Sequence, residues 1–301
     1  MLIDIEAVPG RALLLGLLLL LGAALAAALR LQARDRAHAR AVREALLAAR
    51  DPAPPRWNPA MADGLPEVAQ RYLRRAIAPG TPLARVVRLE MAGEFVLGSR
   101  TLPMRARQVL APPARGFVWE AEIGSGWLRL TGSDGLHRPA SGGCDSWTRF
   151  WLHGLVPLAR VGGNPDHARA AATRAMLESV WVPASLLPQY GARWVATGPD
   201  SAVVHFAEAA DIEPMHLRLN ADGTLAEVSA LRWTDANPDK VYRLQPFGGL
   251  MLESADIGGF TLPVRVELAN QFGTPGHAPF FRARLASVSF GGPAPADLGP
   301  R

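Results

Sequence analysis

The sequence predicts an α+β protein: an N-terminal transmembrane helix followed by a mainly antiparallel, strongly curved β-sheet, with an amphipathic helix before the sheet and one helix inserted in it. Three observations predict this fold class. The run ALLLGLLLLLGAALAAAL, Ala12 to Leu29, carries no charge. From Val87 onward, apolar and polar residues alternate with the period of two that a half-buried strand requires. Asn164-Pro165-Asp166 then interrupts the strands with an N-cap, a proline suited to a first helical position and an acid for the first turn, predicting a helix over 165–180.

The apolar run of 12–29 is 18 residues long. At about 1.5 Å per residue it spans roughly 27 Å, close to a bilayer hydrocarbon core. Ala24-Leu25-Ala26 resembles a signal-peptidase site, but Asp4 and Glu6 against a single Arg11 do not make a basic secretory n-region, so an uncleaved anchor is expected. The only cysteine is Cys144, which excludes a lipoprotein. The expected localisation is therefore a single-pass membrane protein. Arg30, Arg34, Arg36, Arg40 and Arg43 follow the span while Arg11 alone precedes it; taken literally, the positive-inside rule puts the domain in the cytoplasm. A lone cysteine suits a reducing compartment and is tolerated outside, which leaves the side open.

Residues 30–64 read as a helical stalk and a Pro-rich linker or collar, with four prolines in DPAPPRWNPAMADG. The domain is expected over 65–290, beginning with LPEVAQRYLRRAI, whose apolar positions Leu65, Val68, Ala69, Tyr72, Leu73, Ala76 and Ile77 share one helical face. Strands are predicted near Val87–Leu97, Leu102–Leu110, Phe117–Ile123 and Trp127–Thr131. Arg88, Glu90, Arg105, Arg107, Glu120, Glu122 and Arg129 are placed to pair across their outer faces. Past the inserted helix, Trp181 to Pro188 reads as extended and stiff because of its prolines. Short strands resume near 193–196, 202–207, 215–219, 225–233, 248–254, 262–270 and 280–290, with a hairpin turn at Asn220-Ala221-Asp222-Gly223. This makes roughly eleven strands and a disordered tail over 291–301.

Charge argues against nucleic acid as a partner. The chain carries +5, but residues 1–50 hold seven arginines against four acids, leaving the domain only +2. The isoelectric point near 10 arises because Lys240 is the only lysine among 32 basic residues. The juxtamembrane arginines read either as contacts to anionic headgroups or as a solvated stalk with pairs such as Arg40 and Glu44.

The segments RYLRRAI, GEFVLG, RARQVL, GFVWEAEI, GLVPLAR, ESVWVPASLLP, GARWVA, PFGG and LPVR, in order from Arg71 to Arg265, resemble an uncharacterised bacterial family known only as a domain of unknown function. ESVWVPASLLP is the most specific of them. The resemblance implies no catalytic residue. The order of helix, meander, inserted helix and second meander is also similar to the curved half-barrel of LolA-type lipoprotein carriers, and implies acyl chains held between sheet and helices.

Chemical motifs are sparse. There is no G-x-S-x-G, H-E-x-x-H, C-x-x-C or phosphate-binding glycine loop. Cys144 with His153 offers a thiol and an imidazole, though a small residue in a Gly-rich turn is the simpler reading. His205 and His216 flank Glu208, Asp211 and Glu213, a zinc set only if a hairpin gathers them, and scattered surface residues otherwise. Arg232, Asp235 and Asp239 beside Trp233 read as a polar loop mouth or a local turn. No cofactor, metal or catalytic residue is assigned. Eight Trp against three Tyr, several of them around the inserted helix, read as core or as the lining of an apolar cavity formed by Trp151, Trp181, Leu186 and Leu187. The leading function is a membrane-tethered binding module for a lipid or other hydrophobic ligand, without catalysis. An interaction protein of the cell envelope and an ester or lipid hydrolase are the alternatives.

Overall fold

The computed structural model describes residues 7–112, 115–209, 211–290 and 296–297. The described residues open with one unbroken helix, α1 (Ala7–Ala48), in which apolar run and stalk are continuous. Its apolar window has a mean hydropathy of 2.7 and none of it is buried, unlike a core helix of a soluble domain. One helix thus has the length and composition to cross a membrane.

The stalk expected over residues 30–50 is neither free nor directed at headgroups along its whole length. Ala39, Val42 and Leu46 are buried against Val86, Val109, Val118 and Trp147 of the sheet's outer face. Asp35 accepts the indole N–H of Trp151 at 3.0 Å and pairs with Arg149 and Arg160. Arg43 binds Glu120 at 2.5 Å. Burial opposes ionisation of Glu120, yet hydrogen bonds from Arg107 and Arg43 outweigh it and hold its carboxyl below the ordinary range. The Pro-rich stretch is a packed collar: Trp57 is buried, its backbone N–H bonds Thr81 O at 2.8 Å, and a 3-10 turn spans Pro59–Ala62.

The amphipathic helix forms as α2 (Glu67–Ala76) and buries Val68, Ala69, Tyr72, Leu73 and Ala76. Then follow β1 (Val87–Leu97), β2 (Arg100–Ala111), β3 (Gly116–Ile123), β4 (Leu130–His137), β5 (Asp145–Leu152) and β6 (Val156–Gly162). Next come α3 (Pro165–Leu177) and the 3-10 turns Glu178–Trp181, Pro183–Leu186 and Pro188–Tyr190. The second meander is β7 (Ala192–Ala196), β8 (Ser201–Phe206), β9 (Met215–Leu219), β10 (Leu225–Thr234), β11 (Arg243–Ile257), β12 (Phe260–Asn270) and β13 (Ala278–Ser289).

All thirteen strands join one antiparallel sheet in the order β6-β5-β4-β3-β2-β1-β13-β12-β11-β10-β9-β8-β7. Each meander runs outward from the centre or inward to it, and the segment 163–191 connects the two sheet edges. That segment lies across the concave face, where α3 touches β10 on one side and β3 to β6 on the other. The α+β class with a strongly curved antiparallel sheet is therefore the architecture observed. α2 packs in the same concavity against β7, β8 and β12.

Four details differ from the sequence expectation. Two strands, β5 and β6, were not expected. The helix expected to reach 180 ends at Leu177. The stretch from Trp181 to Pro188 is coiled, because its prolines occupy first positions of 3-10 turns. The strand expected at Trp127–Thr131 begins only at Leu130, since Gly124 and Gly126 turn the chain at φ +80° and +54°. The tail expected to be disordered lies outside the described residues except for a two-residue strand, β14 (Ala296–Asp297), paired with Ser287 and Val288.

Candidate ligand-binding cavity

Inward-facing side chains of both meanders leave a cavity of about 440 Å³ between the sheet and α3. This falls within the roughly 300–1,000 Å³ of small-ligand pockets. The wall is largely apolar, with Phe95, Trp119, Phe150, Trp181, Phe247 and Phe280 as its main aromatic surfaces. α3 is alanine-rich, with Ala170, Ala171, Ala172 and Ala175 among its buried residues, and gives Arg174 and Leu177 to the cavity wall.

One end of the cavity is polar. The register aligns Leu89, Gln108, Trp119, Asp134 and Thr148 as direct cross-strand neighbours in one row over β1 to β5. Arg174 of α3 reaches this row, donating to Asp134 at 2.5 Å and to Glu178 at 2.7 Å. Gln108 Nε2 donates to the other Glu178 oxygen at 2.6 Å. The guanidinium also lies 4.5 Å from the Phe117 ring centre. Burial works against the charge of Arg174, but Glu178 and Asp134 outweigh it and push its pKa up. The cluster is a locked ion triad rather than a set of free acids and bases.

Arg232 differs from Arg174. It lines the cavity from β10, is half-buried, and has no carboxylate within salt-bridge distance among the described residues. Its Nε donates to Ala170 O at 3.1 Å and its plane lies 4.7 Å from the Phe247 ring centre. Burial pulls its pKa down to about 10, so it stays charged at neutral pH. A charged guanidinium on an otherwise apolar wall suits an anionic group on a ligand.

Behind the polar row, His167 Nε2 lies 3.1 Å from Thr148 Oγ1 and Nδ1 lies 2.9 Å from Ser146 Oγ. Burial pushes its pKa below the ordinary 6.5. The unfolded chain therefore takes up a proton that the native imidazole resists, and stability is full above about pH 6.5 and falls as pH drops below it. Thermal denaturation between pH 7.5 and 5.5 is expected to show this loss. His167→Gln is expected to flatten the slope only in part, because burial depresses His137 in the same window.

Of the four residues expected to line a cavity, Trp181 does, with its indole N–H fixed by Pro263 O at 2.9 Å. Trp151 does not: it points to the outer face, against Asp35 of α1. Leu186 and Leu187 are fully buried in the core rather than on the cavity wall. Cys144 and His153 flank β5 at opposite ends, nine residues apart in sequence, or roughly 30 Å at 3.3 Å per residue. His205 and His216 sit on neighbouring strands while Asp211 and Glu213 pair with Arg138 and Arg169. The side chain of Glu208 lies outside the described residues, among which no group of three ligating side chains occurs. Arg232 leaves its expected loop partners, since Asp239 pairs with Arg243. The sequence reading missed Gln108, Asp134, Arg174 and Glu178; the one visible signal was Arg174 and Glu178 at i,i+4 in an otherwise alanine-rich helix.

Fold and site together define a curved antiparallel half-barrel with a helix across its concave face, an amphiphilic interior and an apolar N-terminal helix. The chain belongs to the family described as Family of unknown function (DUF6544), whose profile matches residues 55–283. No curated protein matches it. Among solved structures it is similar to a DUF1329 family protein from Desulfovibrio piger, at 8% identity and a TM-score of 0.41, over 74% of this chain and 90% of that one. It is also similar to a putative outer membrane lipoprotein-sorting protein domain from Vibrio parahaemolyticus, at 9% identity and a TM-score of 0.39, over 74% and 91% of the two chains.

Proposed function

We propose that this protein is a membrane-tethered, non-catalytic binding module for a single-chain amphiphile, its acyl chain against the aromatic wall and its anionic headgroup at Arg232. The observation that carries this reading is the pairing of an apolar cavity with a half-buried guanidinium that forms no salt bridge among the described residues. Arg174, by contrast, is held between two carboxylates and has a structural role. The length and exposure of the apolar run in α1 support tethering. An interaction protein would call for a filled barrel, which the cavity disfavours.

The test is native mass spectrometry with solvent extraction on residues 31–301, purified without detergent. A stoichiometric acyl species is expected. Phe95→Arg, on the half-buried part of the wall, should abolish it with the fold intact. Arg232→Met is expected to weaken binding of an added long-chain fatty acid ten- to hundred-fold, about 1.5–3 kcal/mol for a hydrogen bond to a charged group, and to leave the matching fatty alcohol unchanged. A folded protein that stays empty when offered lipids overturns the reading.

A further inference from the structure

Three hairpin ends meet where α1 leaves the domain. Along β5 and just past it, Asp145 lies by His38, Trp151 by Asp35, and Gly154 beside the side-chain amide of Gln32. The helix therefore runs toward the β5–β6 turn as it runs toward its N-terminus. The apolar run ends at Leu29, three residues before Gln32, or about 4.5 Å at 1.5 Å per residue. The β5–β6 turn thus stands at the level where the uncharged segment begins.

That turn is itself apolar, with Leu155 and Val156 exposed. His153 Nε2 lies 2.8 Å from Trp127 O, which brings the β3–β4 turn alongside; Trp127 is 70% exposed. The Arg100 guanidinium lies 5.0 Å from the Trp127 ring centre, which adds the β1–β2 turn, where Leu97 is exposed. Arg30, Arg34 and Arg36 of α1 are exposed beside this end and form no ion pair among the described residues. Exposed aliphatic side chains, a tryptophan and unpaired arginines at one level make a membrane-interface composition.

We propose that these three turns dock the domain on the surface of the bilayer that α1 enters, and that the cavity opens directly onto that leaflet. Among the cavity's lining residues only Leu97 and Leu158 are exposed, which puts the mouth at this end. The polar row through Gln108, Trp119, Asp134 and Thr148 lies deeper: Trp119 is four residues before Ile123 on β3, about 13 Å at 3.3 Å per residue. A lipid in the leaflet has its headgroup toward the domain and its chain in the bilayer. It can therefore enter head first, without inversion. The identity of the guest rests on the lipid-binding reading above; the docking surface does not.

The test uses the full chain in phosphatidylcholine vesicles carrying a nitroxide lipid labelled high on the acyl chain. A bimane is attached to Leu155→Cys or Trp127→Cys, each in a Cys144→Ser background, and in the unmodified protein to Cys144. Cys144 is exposed and sits at the far end of β5, so it reports the opposite pole of the domain. Quenching at positions 155 and 127 at least twofold greater than at Cys144 is expected. Quenching no greater than at Cys144 overturns the docking. Native mass spectrometry of residues 31–301, purified without detergent or added lipid, separates the two proposals: unquenched labels with a bound acyl species reject docking alone, and quenched labels with an empty cavity reject the lipid reading alone.

Discussion

A fragment beginning at Asp51 is expected to lose its cooperative unfolding transition, whereas one beginning at Leu31 keeps it. The second half of α1 is part of the fold. Leu46 is 1% and Val42 6% exposed, and beneath them Trp147 and Val118 are almost wholly covered. Removing the helix gives up about 1.5–3 kcal/mol for each large apolar side chain it buries. It also uncovers Trp147, and it leaves Arg149, Arg160 and the Trp151 indole without Asp35. The total, on the order of 5–10 kcal/mol, matches the whole stability of an ordinary domain. Circular dichroism melts of the two fragments are the check, and melting points within a few degrees of each other would refute the claim.

Arg174→Met is expected to cost about 3–5 kcal/mol, the usual penalty for deleting one member of a buried ion cluster. Asp134 and Glu178 would then share a low-dielectric site with no cation between them, since Gln108 offers only an amide donor to Glu178. Protonation relieves that repulsion, so the deficit relative to the native protein should narrow from pH 8 to pH 5. Adding Asp134→Asn and Glu178→Gln should recover most of the loss at neutral pH. Chemical denaturation at both pH values measures each part. A deficit independent of pH would mean that the side chain acts by packing on Phe117 and Trp119 rather than by charge.

The sequence was most legible where one face of an element meets water. α2 and β1 to β3 show their periods plainly, as does the Asn220 to Gly223 hairpin, where Gly223 takes φ +83°. β5 was illegible for the converse reason. Its outer face, Trp147 and Trp151, lies under α1, while Phe150 lines the cavity, so apolar residues fall on both faces and alternation vanishes. Trp151 was misplaced by the same cause: its neighbour Phe150 has the opposite parity, and nothing in SWTRFWL says which one faces in. Trp181 could be found from the tryptophans around the inserted helix. The polar row could not, because its members come from separate strands and only the pairing register brings them side by side.

The strand order also fixes when the cavity can come into being. Every ladder along the sheet but one joins strands consecutive in the chain or nearly so; the exception is β1 with β13, which pairs Arg88 with Ser289 across about 200 residues. During synthesis the N-terminal meander acquires its neighbours and its outer helix as soon as Gly162 is made. The pocket has no second wall until the last long strand arrives and zips to the first. A chain ended before β13 would keep α1 and a paired half-sheet but would bare the aromatic concave face to solvent. The carboxyl-terminal strand is thus the closing stave of the cavity, and the lesions most damaging to it are those farthest in sequence from α1.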